Sequence, residues 1–330
     1  RPYSFNFLEY EKKQVKLTVE RQFADETEED KEAIAAAFLT ENIVNLFSAI
    51  MEVAQRGSAG GGNNDAYWLN SVRQLLRNAL GLLILSGERL TFQNLHSVIM
   101  SAPSSIEEAD SLAQLCVEGE GSSSVFERCV HAFYQLDDEH PRMNDCLLIM
   151  RFWFKEFPAL APETRSITLS YFTGAADPFL RGTLKQLFSP ESDSKQLNPE
   201  LAREGKVIIM ALPVKEYFEL GQFAQVLYKF IFQRSAERGA GIDEDINPAF
   251  LWADEAQFFI NSHDMLFQTT ARSSKVATVY LTQNISNYYA IMSGEKGKAE
   301  TDSLLGNFVT KIFHSNTDGV TNIWSAEVIS

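Results

Sequence analysis

Residues 247–283 read NPAFLWADEAQFFINSHDMLFQTTARSSKVATVYLTQ. Pro248 opens a short apolar run, Ala249–Ala253, which stops at the adjacent carboxylates Asp254 and Glu255. A continuous apolar run of that length, bounded by proline and charge, predicts a strand buried on both faces. Acids just past the carboxyl end of such a strand stand where open α/β sheets bind ligands. A second β-type run, Val276–Leu281, ends in Thr282 and Gln283, and Arg272 lies between the two runs. An Asp-Glu pair after an apolar run also occurs as a solvated strand end or as the first turn of a helix, where acids suit the dipole. The order strand, two acids, helix, arginine, strand, glutamine is harder to obtain from core packing alone, and it points to phosphoryl-transfer chemistry.

Working outward, Val207–Leu212 is a further apolar run ended by Pro213, and 308–313 (FVTKIF) reads as a last strand. Leu220–Glu237 separates the first pair of runs with a helical period, its inward set being Phe223, Val226, Leu227, Phe230 and Ile231. Strand–helix–strand at this spacing predicts a parallel sheet with right-handed crossovers. Short helices follow at 285–292 and 301–307, with a charged loop at 293–300 (SGEKGKAE) between them, and 317–330 heads into another helix. On the amino-terminal side, residues 1–24 alternate as an edge strand pair or a loop, and DETEED at 25–30 reads as the solvated cap of a helix over 31–56. GSAGGGNN at 57–64 is a linker rather than a phosphate cradle, since no Lys-Ser/Thr follows it. A helix from Asp65 through Leu85 leads into a block, 86–161, that reads helical nearly throughout. Within it, Phe152, Trp153, Phe154 and Phe157 form a core face, and GEGSSS at 119–124 is a loop. Ser166–Leu187 is expected as two helices broken at Asp177-Pro178.

The order FLWADEAQFF, TTARSSKVATVYLTQNISNYY, LLGNFVTKIFHSNTD and WSAEVIS resembles the C-terminal half of the motor domain of TraG/TraD-type coupling ATPases of conjugation and type IV secretion. The resemblance is specific over about 200–330 and looser over 60–190. It implies an α/β fold, a RecA-like P-loop NTPase core with a mostly parallel sheet interrupted by an all-helical inserted domain. The organisation implied is 1–85 as the first part of the core, 86–161 as the insertion and 162–330 as the rest. Asp254 would be the Mg²⁺-coordinating acid, Glu255 the base that polarises water, Gln283 the γ-phosphate sensor, and Arg272 an arginine finger acting across a subunit boundary. The cofactors implied are Mg²⁺ and ATP. The partners implied are a DNA–relaxase complex or a secreted protein, the secretion channel, and further copies in a homohexamer at the cytoplasmic face of the bacterial inner membrane. The sequence departs from that pattern in one large respect: it contains no G-x-x-x-x-G-K-[ST]. Phe5-Asn6-Phe7-Leu8 resembles the segment after the phosphate loop, so the chain reads as a fragment cut at both ends, with little ATPase activity of its own. A non-catalytic module that recruits substrate through its helical insertion, or a pseudo-ATPase, fits the same residues.

The net charge is −15, from 29 basic and 44 acidic residues. That argues against a protein that coats DNA nonspecifically, leaves open DNA in a central pore touched by a few loop residues, and suits a partner with basic patches. Cys116, Cys129 and Cys146 are spaced too widely for a C-x-x-C metal site and read as reduced, buried thiols; His131 and His140 lack metal-ligand companions. The longest apolar run is Ala79–Ser86, well short of the roughly 20 residues that span a bilayer.

Overall fold

A computed structural model describes residues 3–56, 65–118, 124–137, 139–189, 195–239, 246–292 and 294–329. The linker 57–64 and most of the 119–124 loop therefore lie outside the described residues. The chain divides into two compact units, one of residues 1–48 and 61–196, the other of 49–60 and 197–330.

The first unit is helical except for β1 (Tyr3–Ser4), which pairs in parallel with β2 (Lys195–Gln196). The expected edge strands at 1–24 are instead helix α1 (Phe7–Gln22). Asn6 caps it, accepting from the Glu9 N–H at 3.3 Å, and Phe7, Leu8, Tyr10, Val15 and Val19 recur at helical spacing on its buried face. The alternation read from the sequence coincides with that period, and a local cap decided between the two. Helices α2 (Glu28–Arg56) and α3 (Asp65–Leu85) follow, α2 running through the boundary between the units. Next come α4 (Phe92–Met100), α5 (Ile106–Glu118), α6 (Val125–Tyr134) and α7 (Met143–Arg151). A π-helical turn, Phe152–Glu156, continues α7, and the Phe157 N–H reaches the Phe152 carbonyl at 2.8 Å. That wider turn brings Phe152, Trp153 and Phe157 to the interior together. Helix α8 (Pro162–Leu180) carries Pro178 inside its last turn, and the break falls at extended Arg181, after which α9 (Gly182–Phe188) begins. The core centres on Phe92, whose ring lies 5.0 Å from Phe7, 5.3 Å from Phe47 and 4.4 Å, stacked, from Phe179.

The second unit holds α10 (Val214–Gly239), β3 (Ala249–Ala253), α11 (Ser262–Thr270) and β4 (Val276–Tyr280). It closes with α12 (Ile285–Met292), α13 (Gly294–Asn307) and α14 (Gly319–Ile329). Strands β3 and β4 pair in parallel, Phe250 opposite Ala277 and Trp252 opposite Val279. Ala249 and Val276 pack with Phe232, Ala236, Phe267 and Ala271 of α10 and the α11 turn.

The expected RecA-like α/β core is overturned. Fourteen α-helices dominate the described residues, and the sheets present are two separate two-stranded ones. The runs 207–212 and 308–313 lie outside both sheets, leaving Val207 and Val309 87% and 96% exposed. An apolar run becomes a strand only when a neighbour completes its backbone hydrogen bonds, and the Leu212 carbonyl is taken by the Gln225 side chain at 2.8 Å. Burial of the 249–253 strand on both faces is corrected as well: Ala249 faces the core while Phe250 and Trp252 are exposed. The expected charged loop at 293–300 gives way to helix from Gly294 onward, tied by the Lys298–Asp302 pair at 2.7 Å.

Among the described residues, only α2 is long and apolar enough to cross a membrane; 56% of that window, Glu28–Ala54, is buried inside the protein. Charged and polar residues interrupt α2 throughout, so no unbroken apolar run marks it in the sequence.

Candidate functional site

The pairing of β3 and β4 continues past both strands. The Leu281 N–H donates to the Ala253 carbonyl, and the Ala256 N–H to the Leu281 carbonyl, each at 2.9 Å. That ladder fixes the two polar tips side by side. Asp254 accepts the Glu255 N–H on Oδ1 at 3.1 Å and is exposed. Glu255 itself sits in the left-handed region, φ 50° and ψ 47°, which turns the chain out of the strand into a 3₁₀ turn, Ala256–Phe258. A side chain with a Cβ adopts that conformation at a cost of order 1–3 kcal/mol, which the surrounding contacts must hold.

Those contacts are two side-chain amides. Gln283 Nε2 donates to Glu255 Oε1 at 2.9 Å, and Gln257 Nε2 donates to Oε2 at 2.7 Å. Gln257 is buried, and its own carbonyl accepts the Thr282 hydroxyl at 2.8 Å. The Glu255 carboxylate is thus held on both oxygens, while Asp254 faces solvent beside it. The Gln283 backbone carbonyl accepts from Asn316 Nδ2 at 2.6 Å. Nearby, Asp318 accepts from Ser286, and the Thr321 hydroxyl accepts the Ile285 N–H, which fixes the first turns of α12 and α14 against each other. Hydrogen bonds led by the Thr321 hydroxyl hold the Asp318 carboxyl below the ordinary aspartate range.

The site thus brings together Asp254, Glu255 and Gln283, as the sequence order suggests. It does not include Arg272, which sits in the turn before β4 and donates no side chain to this cluster. A five-residue strand separates them, on the order of 15 Å at about 3.3 Å per residue. Gln257 and Asn316 escape the sequence pattern, and Thr282 figures there only as a polar strand end. Gln257 and Thr282 are one or two residues from acids or amides already singled out, but their roles come from which way the 3₁₀ turn and the strand end point.

Beneath the site lies a buried polar lock. Asn261 and Asp264 form a capping box at the start of α11, Asp264 Oδ2 accepting the Asn261 N–H at 2.7 Å. Fully buried Asp264 also pairs with Lys229 of α10, accepts Gln233 Nε2 at 2.8 Å and accepts the Tyr280 hydroxyl at 2.7 Å. Burial pushes the Asp264 carboxyl up, but the Lys229 ammonium and these hydrogen bonds outweigh it and hold the acid below its ordinary range. Tyr280, the last residue of β4, is thereby anchored just ahead of Gln283.

The fit to a magnesium phosphate is that of a partial site. Mg²⁺ keeps several waters and is commonly held through one or two carboxylates plus phosphate oxygens, which an exposed Asp254 can supply. No cluster of three or more His, Cys, Asp or Glu suited to a metal occurs among the described residues. Cys116, Cys129 and Cys146 are free and buried, and burial pushes the Cys116 and Cys129 thiols up to about 11. No family model matches the chain, and neither a curated protein nor a solved structure matches it.

Proposed function

We propose that the chain is part of a coupling ATPase that recruits single-stranded DNA with its relaxase, or a protein substrate, to a type IV secretion or conjugation channel. The observation that supports this is the Glu255 carboxylate, gripped by Gln283 and Gln257 at the joined tips of two parallel strands with Asp254 open beside it. The mainly helical architecture departs from the fold that the resemblance implies and lends the reading no support; the reading rests on the site and on the sequence resemblance. Bound Mg²⁺ would supply charge neutralisation at phosphate oxygens. Asp254 would hold the ion. Glu255 accepts a hydrogen bond from the attacking water and takes its proton at a carboxylate oxygen. For that, one of the two amides must release it, and Gln283, the more exposed of the pair, is the one free to turn toward a γ-phosphate.

Mn²⁺ binding followed by water-proton relaxation, with ATP present, tests this. Binding should weaken at least about tenfold in Asp254→Asn and persist in Glu255→Gln, whose effect falls on turnover, about 10²–10⁴-fold. Binding indifferent to Asp254→Asn would end the reading. Residues 1–330 contain no phosphate-loop lysine, so turnover by this stretch is expected to be slow; rapid Mg²⁺-dependent turnover abolished by Glu255→Gln would overturn that expectation.

A second reading, a recruitment module without catalysis, is favoured by the helices of 86–161. They leave Leu115, Val117, Leu147 and Leu148 more than half exposed, with Glu107, Glu108, Asp110 and Asp145 on the same helices. Capture of a basic protein partner that is lost on Leu148→Asp and indifferent to nucleotide would select it.

A further inference from the structure

Strands buried on one face only are unusual in a parallel pair, because parallel sheets are normally covered on both sides. Here the alternation is clear. Ala249, Leu251 and Ala253, with Val276, Thr278 and Tyr280, turn toward the helices; Phe250, Trp252, Ala277, Val279 and Leu281 turn the other way. Phe250 is 63% exposed, Trp252 64% and Leu281 45%. Two large aromatic side chains on adjacent positions of one flat face, with aliphatic partners in register, are the composition of an interface centre rather than of a solvated surface.

The charges at the two ends of this face are opposite. Past the carboxyl ends of the strands stand Asp254, which continues the outward alternation, and Glu255. Before β4 stand exposed Arg272 and Lys275. A face with an acidic end and a basic end complements itself when turned end for end.

We propose that this face is the docking surface for a second copy of the chain, packed sheet on sheet about a two-fold axis in the plane between them. The axis lies across the strands, so that the strands of the two copies run in opposite directions. Two copies related the other way, by an axis along the strands, would set acid against acid and cation against cation. Facing sheets pack about 10 Å apart, and an axis across the strands sets β3 opposite β3, which lets Trp252 and Phe250 of each copy interdigitate with the same pair of the other, flanked by Val279 and Leu281. The aromatic pair alone supplies roughly a third of the about 800 Å² per partner of a standard interface. An isologous contact repeats every interaction twice, so the Lys275 end of each copy meets the Asp254 end of the other. The pairing uses the shape and charge of the strand pair and requires nothing of the nucleotide reading.

Sedimentation equilibrium of residues 1–330 without nucleotide tests it. The chain should sediment as a monomer–dimer equilibrium at micromolar concentrations. Phe250→Ser with Trp252→Ser should raise the dissociation constant at least about 100-fold, the effect of removing an interface centre. Far-ultraviolet circular dichroism and melting should be unchanged, because neither side chain supports the interior. The end-for-end arrangement has its own arm. Lys275→Glu and Asp254→Lys should each weaken the dimer about tenfold, and the double variant should restore it, since it only exchanges the ends. A monomer at concentrations on the order of 100 μM, or association unmoved by the two serine substitutions, overturns the surface. Single reversals that weaken the dimer without rescue in the double variant overturn the antiparallel arrangement.

Discussion

The two units hide apolar side chains by different means. In the unit of residues 1–48 and 61–196, helices close their backbone bonds within a turn, and the side chains are left to pack. Phe7, Phe47, Phe92, Phe172 and Phe179 are all fully buried and ring-stacked or edge-on. In the unit of 49–60 and 197–330, Val207, Ile209, Phe250, Trp252, Val309 and Ile312 stay exposed. Those residues belong to extended segments, whose backbone groups need a neighbouring strand and whose second face needs a cover. The contrast teaches that a helical region can finish itself locally, whereas a strand is only as complete as its neighbours. The second unit also buries an ionic lock, Asp264 with Lys229 and Gln233, to which the Tyr280 hydroxyl is bonded.

Truncation at the two centres sharpens this most. Phe92→Ala should cost about 3–5 kcal/mol in urea unfolding, while Trp252→Ala, at concentrations too low for association, should change stability by less than about 0.5 kcal/mol. Equal effects would mean that Trp252 is covered in solution even in the single chain. In the second unit, Asp264→Ala strands the Lys229 ammonium in the interior and should cost about 3–5 kcal/mol. Lys229→Met with Asp264→Leu should recover most of it, because two matched apolar groups need no partner. No recovery would show that Tyr280 and Gln233 depend on the acid as much as the lysine does.

Much of the first unit was legible. The period of Ile43, Leu46, Phe47 and Ile50, the Asp65 start and the aromatic face at 152–157 are local properties that the sequence states directly. The α1 helix was missed because Phe7, Val15 and Val19, which share its buried face, also fall on one parity of an alternation with Phe5 and Leu17. In the second unit, β3 and β4 were legible as runs and their pairing placed Asp254, Glu255 and Gln283 together. Runs 207–212 and 308–313 have the same composition, yet no neighbour completes them, and composition does not state whether a neighbour exists. Gln257 was invisible for a different reason: its role depends on the left-handed turn at Glu255, and nothing about a glutamate announces a positive φ.

The acid dependence of the second unit is a smaller and separable effect. Asp264 titrates in the folded state below its ordinary value near 3.8, so it contributes stability that is fully present above that value and is lost as pH falls through the folded one. His263 acts at higher pH. Burial lowers its pKa below 6.5, against an opposing pull from Glu237. The unfolded chain therefore takes up the proton first, and stability should fall as pH drops below about 6.5. Urea midpoints between pH 7.5 and 5 should decline in the wild type and decline less in His263→Gln; an unchanged slope would place the titrating group elsewhere.

The smallest effect bears on whether the second unit keeps strain where its chemistry is proposed. Glu255→Gly removes a left-handed non-glycine residue, which relieves about 1–2 kcal/mol, but it raises the entropy of the unfolded chain by about 0.5–1 kcal/mol. It also frees Gln257 and Gln283 from the carboxylate they hold. Gln283 is exposed and turns to water at little cost, and Gln257 keeps its bond to Thr282. The balance should therefore be a gain of about 0.5 kcal/mol, read as a higher urea midpoint with an unchanged slope. Glu255→Ala keeps the strain and loses the carboxylate, so it should fall below the wild type. If the glycine variant fell equally low, the two amides would be contributing more than the backbone costs, and the clamp on Glu255 would be a structural support rather than a strained group held ready for use.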